Sequence, residues 1–264
     1  MGACIMSRTT LLAGTLLASL LAAPLAQASH GWGNYHWART GNPFTVPLGN
    51  NVDSNWLEFF KTAAADWTSS AVLDTQMVAG GTTAKRCRPT SGRVEVCNSA
   101  YGNNGWLGLA QIWASGSHIV QGTTKLNDSY FKTASYNTPA WRQLVMCQEV
   151  GHNFGLGHQD ENFNNENLGS CMDYTRSPDS NQHPNRHDYE QLEAIYSHDD
   201  DSTTLATMPA AMANLELATP GQWGRLLRSQ RGGMVETYVQ DFGHGWRVYT
   251  HVFWAVARGQ RPHD

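Results

Sequence analysis

The stretch Gln148-Glu149-Val150-Gly151-His152-Asn153-Phe154-Gly155-Leu156-Gly157-His158 gathers two histidines and one acid at spacings suited to holding a metal ion. Positions 148 and 152 are four apart, so on a helix they share a face and can address one atom. Glu149 is rotated from them by about 100°. It can reach a metal-held water without ligating the metal. Gly155 can end the helix in a left-handed conformation, and the turn brings His158 back to the same centre. Such a tripod activates a water, with the cation polarising it and the carboxylate taking its proton. A lone histidine is usually an ordinary one. Two at this spacing, with Glu149 and Gly155, point to a centre.

These residues resemble the metzincin metalloproteases, whose elongated zinc signature is His-Glu-x-x-His-x-x-Gly-x-x-His. Glu149, His152, Gly155 and His158 fit it, and Gln148 stands where the first histidine belongs. Downstream, Cys171-Met172-Asp173-Tyr174 is similar to the family's methionine-containing turn, with Tyr174 at the place of the tyrosine found in astacin-like and serralysin-like members. Asn127 upstream, and Tyr189, Leu192 and Tyr196 in a closing helix, are similar to matrixin-type domains. The resemblance covers roughly residues 100 to 198. It implies an α+β zincin fold with a twisted mixed sheet, an active-site helix and a Met turn. It also implies one zinc ion held by Gln148, His152 and His158, with Met172 beneath it, Glu149 as general base and Tyr174 stabilising the oxyanion. An amide oxygen binds zinc more weakly than imidazole does. The implied activity is hydrolysis of protein or peptide substrates; the alternative is a secreted pseudoprotease that binds partners without cleaving them.

Positioning these groups requires a helix that begins at Thr138-Pro139, with Thr as N-cap and Pro at the first helical position. A second helix is expected over 56–70, capped by Asp53 or Ser54, and a third over 185–196. Strands are expected at 45–48, 106–113 and 118–127, and a hairpin at 234–256 around Gly243-His244-Gly245. The acidic, small-residue stretch 201–220 reads as a linker, and 221–264 as a small β-rich extension. Trp223, Tyr238, Phe242, Trp246, Tyr249, Phe253 and Trp254 in that extension could form a carbohydrate platform, but strand alternation makes them core residues instead. His183, His187 and His198 suit surface or helix-start positions better than a ligand's.

Arg8, the apolar run Leu11–Leu25 and Ala26-Gln27-Ala28 read as a signal peptide, residues 1–28, cleaved near Ala28. The expected location is therefore secreted or periplasmic. No second run of ~18 apolar residues follows, so no membrane span is expected. Residues 1–28 carry one of the 18 basic side chains and none of the 22 acidic ones, leaving the mature chain at −5. Nucleic acid is excluded as a partner on that charge. Residues 29–200 would form the metallopeptidase domain, acting as a monomer. Four cysteines remain, Cys87, Cys97, Cys147 and Cys171, an even count that favours disulfides. Three pairings exist in principle; Cys87 and Cys97 bracket a hairpin-like segment, which leaves Cys147 with Cys171. Asp160 and Glu161 either solvate a loop or offer carboxylates to calcium.

Overall fold

β-Branched and aromatic runs bounded by Gly, Asn and Pro dominate the chain between its helices, and they pair into one mixed sheet. The computed structural model describes residues 1–2, 30–162, 164–203, 205–230 and 233–255. The expected signal peptide and its cleavage site lie outside the described residues. In chain order the elements are β1 (His36–Trp37), β2 (Phe44–Asn51), α1 (Leu57–Thr68), β3 (Leu73–Ala79), β4 (Val94–Ser99), β5 (Trp106–Ser115), β6 (His118–Asn127), α2 (Asp128–Phe131) and α3 (Pro139–His152). They continue with α4 (Arg186–Ile195), β7 (Arg225–Gln230), β8 (Val235–Gly243) and β9 (Trp246–Trp254). Sheet order is β3-β2-β4-β6-β5-β9-β8-β7, with β1 added beside β6. Pairing is parallel from β3 to β6 and antiparallel from β6 outward to β7. This is the mixed α+β class expected from the sequence.

Helices α1, α3 and α4 bury Trp67, Leu144, Val150 and Leu192 against one face of the sheet. Fully burying a side chain such as Leu144 is worth roughly 1.5–3 kcal/mol, and this shared core holds α3 in place. The other face carries Trp106, Trp113, Trp223 and Trp254 in a second cluster. Alternation along β9 divides the two: Tyr249 and Phe253 join the helical side, Val248 and Val252 the other.

Two local expectations change. Cys87–Cys97 is bridged, but the enclosed segment is a loop leading into β4, which pairs parallel with both its neighbours and so cannot belong to a hairpin. Helix α1 starts on Trp56 with no side-chain cap, its first amides bonded to the Asp53 carbonyl.

The C-terminal quarter, 201–264, differs most from what its sequence suggests. The stretch 201–220, expected as a linker, buries Met212 and Leu217 on the back of the sheet. The 221–264 extension does form the expected hairpin, β8 and β9, with His244 in its turn at φ 51°. It is not set apart, however: β9 hydrogen-bonds to β5 in register from Trp106↔Trp254 to Ser115↔Trp246. Apolar residues on both faces of β9 require cover on both sides, and only the middle of a larger sheet gives it.

Candidate metal centre

Helix α3 delivers Gln148, Glu149 and His152. Its start is built as the sequence indicates, with Thr138 accepting from the Trp141 amide and Pro139 at the first position. Its last turn is pinned to β6: the Asn153 side-chain amide donates to Thr124 Oγ1 and to the Glu149 carbonyl, which also accepts from Thr124 Oγ1. Gly155 then sits at φ 91°, and a Cβ there would run into the Tyr35 carbonyl oxygen. That left-handed residue turns the chain so that His158 returns to His152, ring centroids 4.5 Å apart.

The third imidazole is His251, from the middle of β9. Ligand atoms of His152, His158 and His251 all lie within 4.8 Å of one another. Its part in the centre is not visible in the sequence. The available signal was a histidine among the aromatic and β-branched residues of a strand, where a buried polar ring needs a partner; nothing local says that the partner lies 93 positions upstream.

The surroundings suit a cation. His152 Nδ1 donates to the Leu156 carbonyl at 2.8 Å, which leaves Nε2 with its lone pair. That Nε2 and the Nε2 of His158 are buried without a hydrogen-bond partner. Burial, with the neighbouring imidazoles adding to it, lowers the pKa of His152 to about 3 and that of His158 well below its usual value; burial alone lowers His251 to about 3. Three neutral rings with lone pairs are the donor set a zinc ion prefers, so these residues fit one. An outer carbonyl fixing the tautomer of His152 is a usual accompaniment.

Glu149 is fully buried, Oε2 lying 3.3 Å from His251 Nδ1 while Oε1 has no partner. Burial raises its pKa to about 8. Tyr174 Oη is 2.7 Å from His158 Nδ1 and 3.5 Å from His251 Nε2. Burial holds that phenol well above its usual pKa. Gln148 Nε2 donates to the Cys171 carbonyl at 2.8 Å, and its Oε1 is buried without a partner. Cys147 and Cys171 are bridged, which ties α3 to the turn holding Met172. The Met172 sulfur packs beneath the helix against Gly151. Asp160 accepts from the amides of Glu161 and Asn162, and Glu161 pairs with Arg228 on β7 at 3.0 Å.

The centre opens on a cavity of about 340 Å³, lined by His152, His158, His251, Trp32, Arg228 and Glu161 among others. Trp32 meets His152 and His251 edge-on. It is held by its amide to the Gly155 carbonyl at 2.6 Å.

No family model matches the sequence, and no curated protein matches it. Among solved structures the chain is similar to High choriolytic enzyme 1, a hatching enzyme zinc-protease from Oryzias latipes (Medaka fish), at 12% identity and a TM-score of 0.34, over 61% of this chain and 94% of that one. No described helix is long and apolar enough to cross a membrane.

Proposed function

We propose that this chain is an exported zinc-dependent endopeptidase of the metzincin type, monomeric, in which His152, His158 and His251 hold the ion and Glu149 is the general base. The reading rests on one observation: three neutral imidazoles, two buried and His158 half-buried, converge beside a buried carboxylate, two of them with Nε2 unpartnered. His251 supplies the imidazole that position 148 lacks. Gln148, whose side-chain amide donates to the Cys171 carbonyl, is given no ligand role in this reading.

When bound, zinc supplies a Lewis acid for the scissile carbonyl and acidifies a water. Glu149 accepts the proton at Oε1, the oxygen that no protein group occupies, and passes it to the leaving amine. Tyr174 orients His158 through Nδ1 and offers an un-ionised hydroxyl to the developing oxyanion. Trp32 and the strands β7 to β9 wall the cavity in which a peptide or protein segment would lie.

The test is hydrolysis of casein by the purified protein, with and without a chelator, and after zinc is restored. Activity should vanish with the chelator, return with zinc, and be absent in Glu149→Ala although that variant still binds zinc. A protein that purifies without zinc and shows no chelator-sensitive cleavage would instead be the secreted binding protein.

A further inference from the structure

On the flank of the molecule a second set of imidazoles meets a carboxylate. His36 is on β1, His118 opens β6, and His198 and Asp200 follow α4, so three segments distant in sequence converge. Asp200 Oδ1 lies 3.3 Å from His36 Nε2, 3.1 Å from His118 Nε2 and 3.7 Å from His198 Nε2; the Nε2 atoms of His36 and His198 are 3.3 Å apart. Four donors at about 2.0–2.1 Å from a tetrahedral zinc ion stand roughly 3.3 Å from one another. The observed separations cluster around that value.

The outer contacts point the same way. The other Asp200 oxygen, Oδ2, accepts from Arg39 Nη1 at 2.8 Å and from the Arg39 amide at 3.1 Å, so Oδ1 alone faces the rings. His36 Nδ1 donates to the Asn34 carbonyl at 2.7 Å. That contact aims His36 Nε2 at Asp200 Oδ1 and at His198 Nε2. Carbonyl and guanidinium contacts that fix the ligands' orientation are what a metal site carries behind its donors. A surface cavity of about 460 Å³ beside the cluster gives an ion access.

We infer that His36, His198 and Asp200 form a second metal site that takes a divalent first-row transition ion such as zinc, with His118 braced on the same Asp200 oxygen beside it. Imidazole nitrogen as the dominant donor selects zinc over calcium or magnesium. The role is structural. β1 has two residues and pairs with β6 only at His36↔His118 and Trp37↔Ile119, and it leads from the segment that lays Trp32 on the first centre. An ion here cross-links that segment to the β5–β6 turn and to the end of α4.

Metal analysis of the intact purified protein tests this without reference to catalysis. The wild type should hold two equivalents of zinc after dialysis. The double variant His118→Ala, His198→Ala should hold one, and both side chains are exposed enough (43% and 51%) for the fold to survive. An equal zinc content and affinity in wild type and this variant would overturn the site and leave a hydrogen-bonded cluster only. A second measurement uses His152→Ala, His158→Ala protein, which retains only the flank site. At zinc one hundred times the Kd its folding equilibrium constant should rise about 100-fold, read as a higher Tm. A Tm that zinc does not move refutes the inference, whatever becomes of the peptidase reading.

Discussion

Replacing His251 by Ala separates the two ways of completing the first centre. The residue is 2% exposed, and its strand is hydrogen-bonded on both sides, to β5 and β8, by backbone groups the substitution leaves alone. The fold should therefore persist. Residues that merely orient a ligand typically cost 10–100-fold in metal affinity. A direct ligand must exceed that, so zinc binding should weaken by more than about 100-fold, or about 3 kcal/mol. Gln148→Ala provides the contrast. It removes one hydrogen bond and strands the Cys171 carbonyl, a cost of roughly 1–3 kcal/mol to stability. Its effect on zinc affinity should stay within about tenfold, well short of the ligand loss. Competition titration of the apo proteins with a chromophoric chelator, alongside circular dichroism, measures both. If His251→Ala holds zinc like the wild type, or Gln148→Ala loses more, the assignment of His251 is wrong.

Three further outcomes are expected. Cys147→Ser with Cys171→Ser opens a loop of 24-residue separation and should lower stability by roughly 3 kcal/mol in urea titrations; unchanged zinc affinity would show that the bridge does not brace the centre. Gly155→Ala forces a side chain to φ 91° and into the Tyr35 carbonyl, so a loss of at least about 2 kcal/mol and of zinc loading is expected, and full loading at wild-type Tm would contradict it. Lys125 is buried with one long contact, 3.4 Å to the Leu217 carbonyl, and burial lowers its pKa from 10.5 to about 8, against the pull of Glu216. Between those values the unfolded chain binds more protons than the native one, so stability should rise with pH across that window and stand lower beneath it by up to roughly 3 kcal/mol; Lys125→Met should abolish the slope and stabilise the protein at pH 7, and a flat wild-type profile from pH 8 to 10.5 would refute the charge burial.

The sequence by itself determined what is local. Thr138-Pro139 starts α3 because cap and φ restriction act within one turn. Gly155 ends the turn after it because no side chain tolerates that backbone. The i, i+4 pairing on a helix and the return to His158 depend only on helix geometry, so Glu149, His152 and His158 were legible as a group. The tertiary structure decided what is distant. Strand β9 reads locally as half of a hairpin whose second edge has no assigned partner; pairing with β5 supplied that partner and carried His251 to the centre. The stretch 201–220 reads as a linker because its apolar residues are sparse and follow no period, and the burial of Met212 and Leu217 depends on a sheet face assembled from other segments. His36, His118 and His198 appear in the sequence as unrelated histidines 80 positions or more apart. Only the pairing of β1 with β6, and the Arg39–Asp200 contact that folds the end of α4 back on them, puts their nitrogens around one carboxylate oxygen.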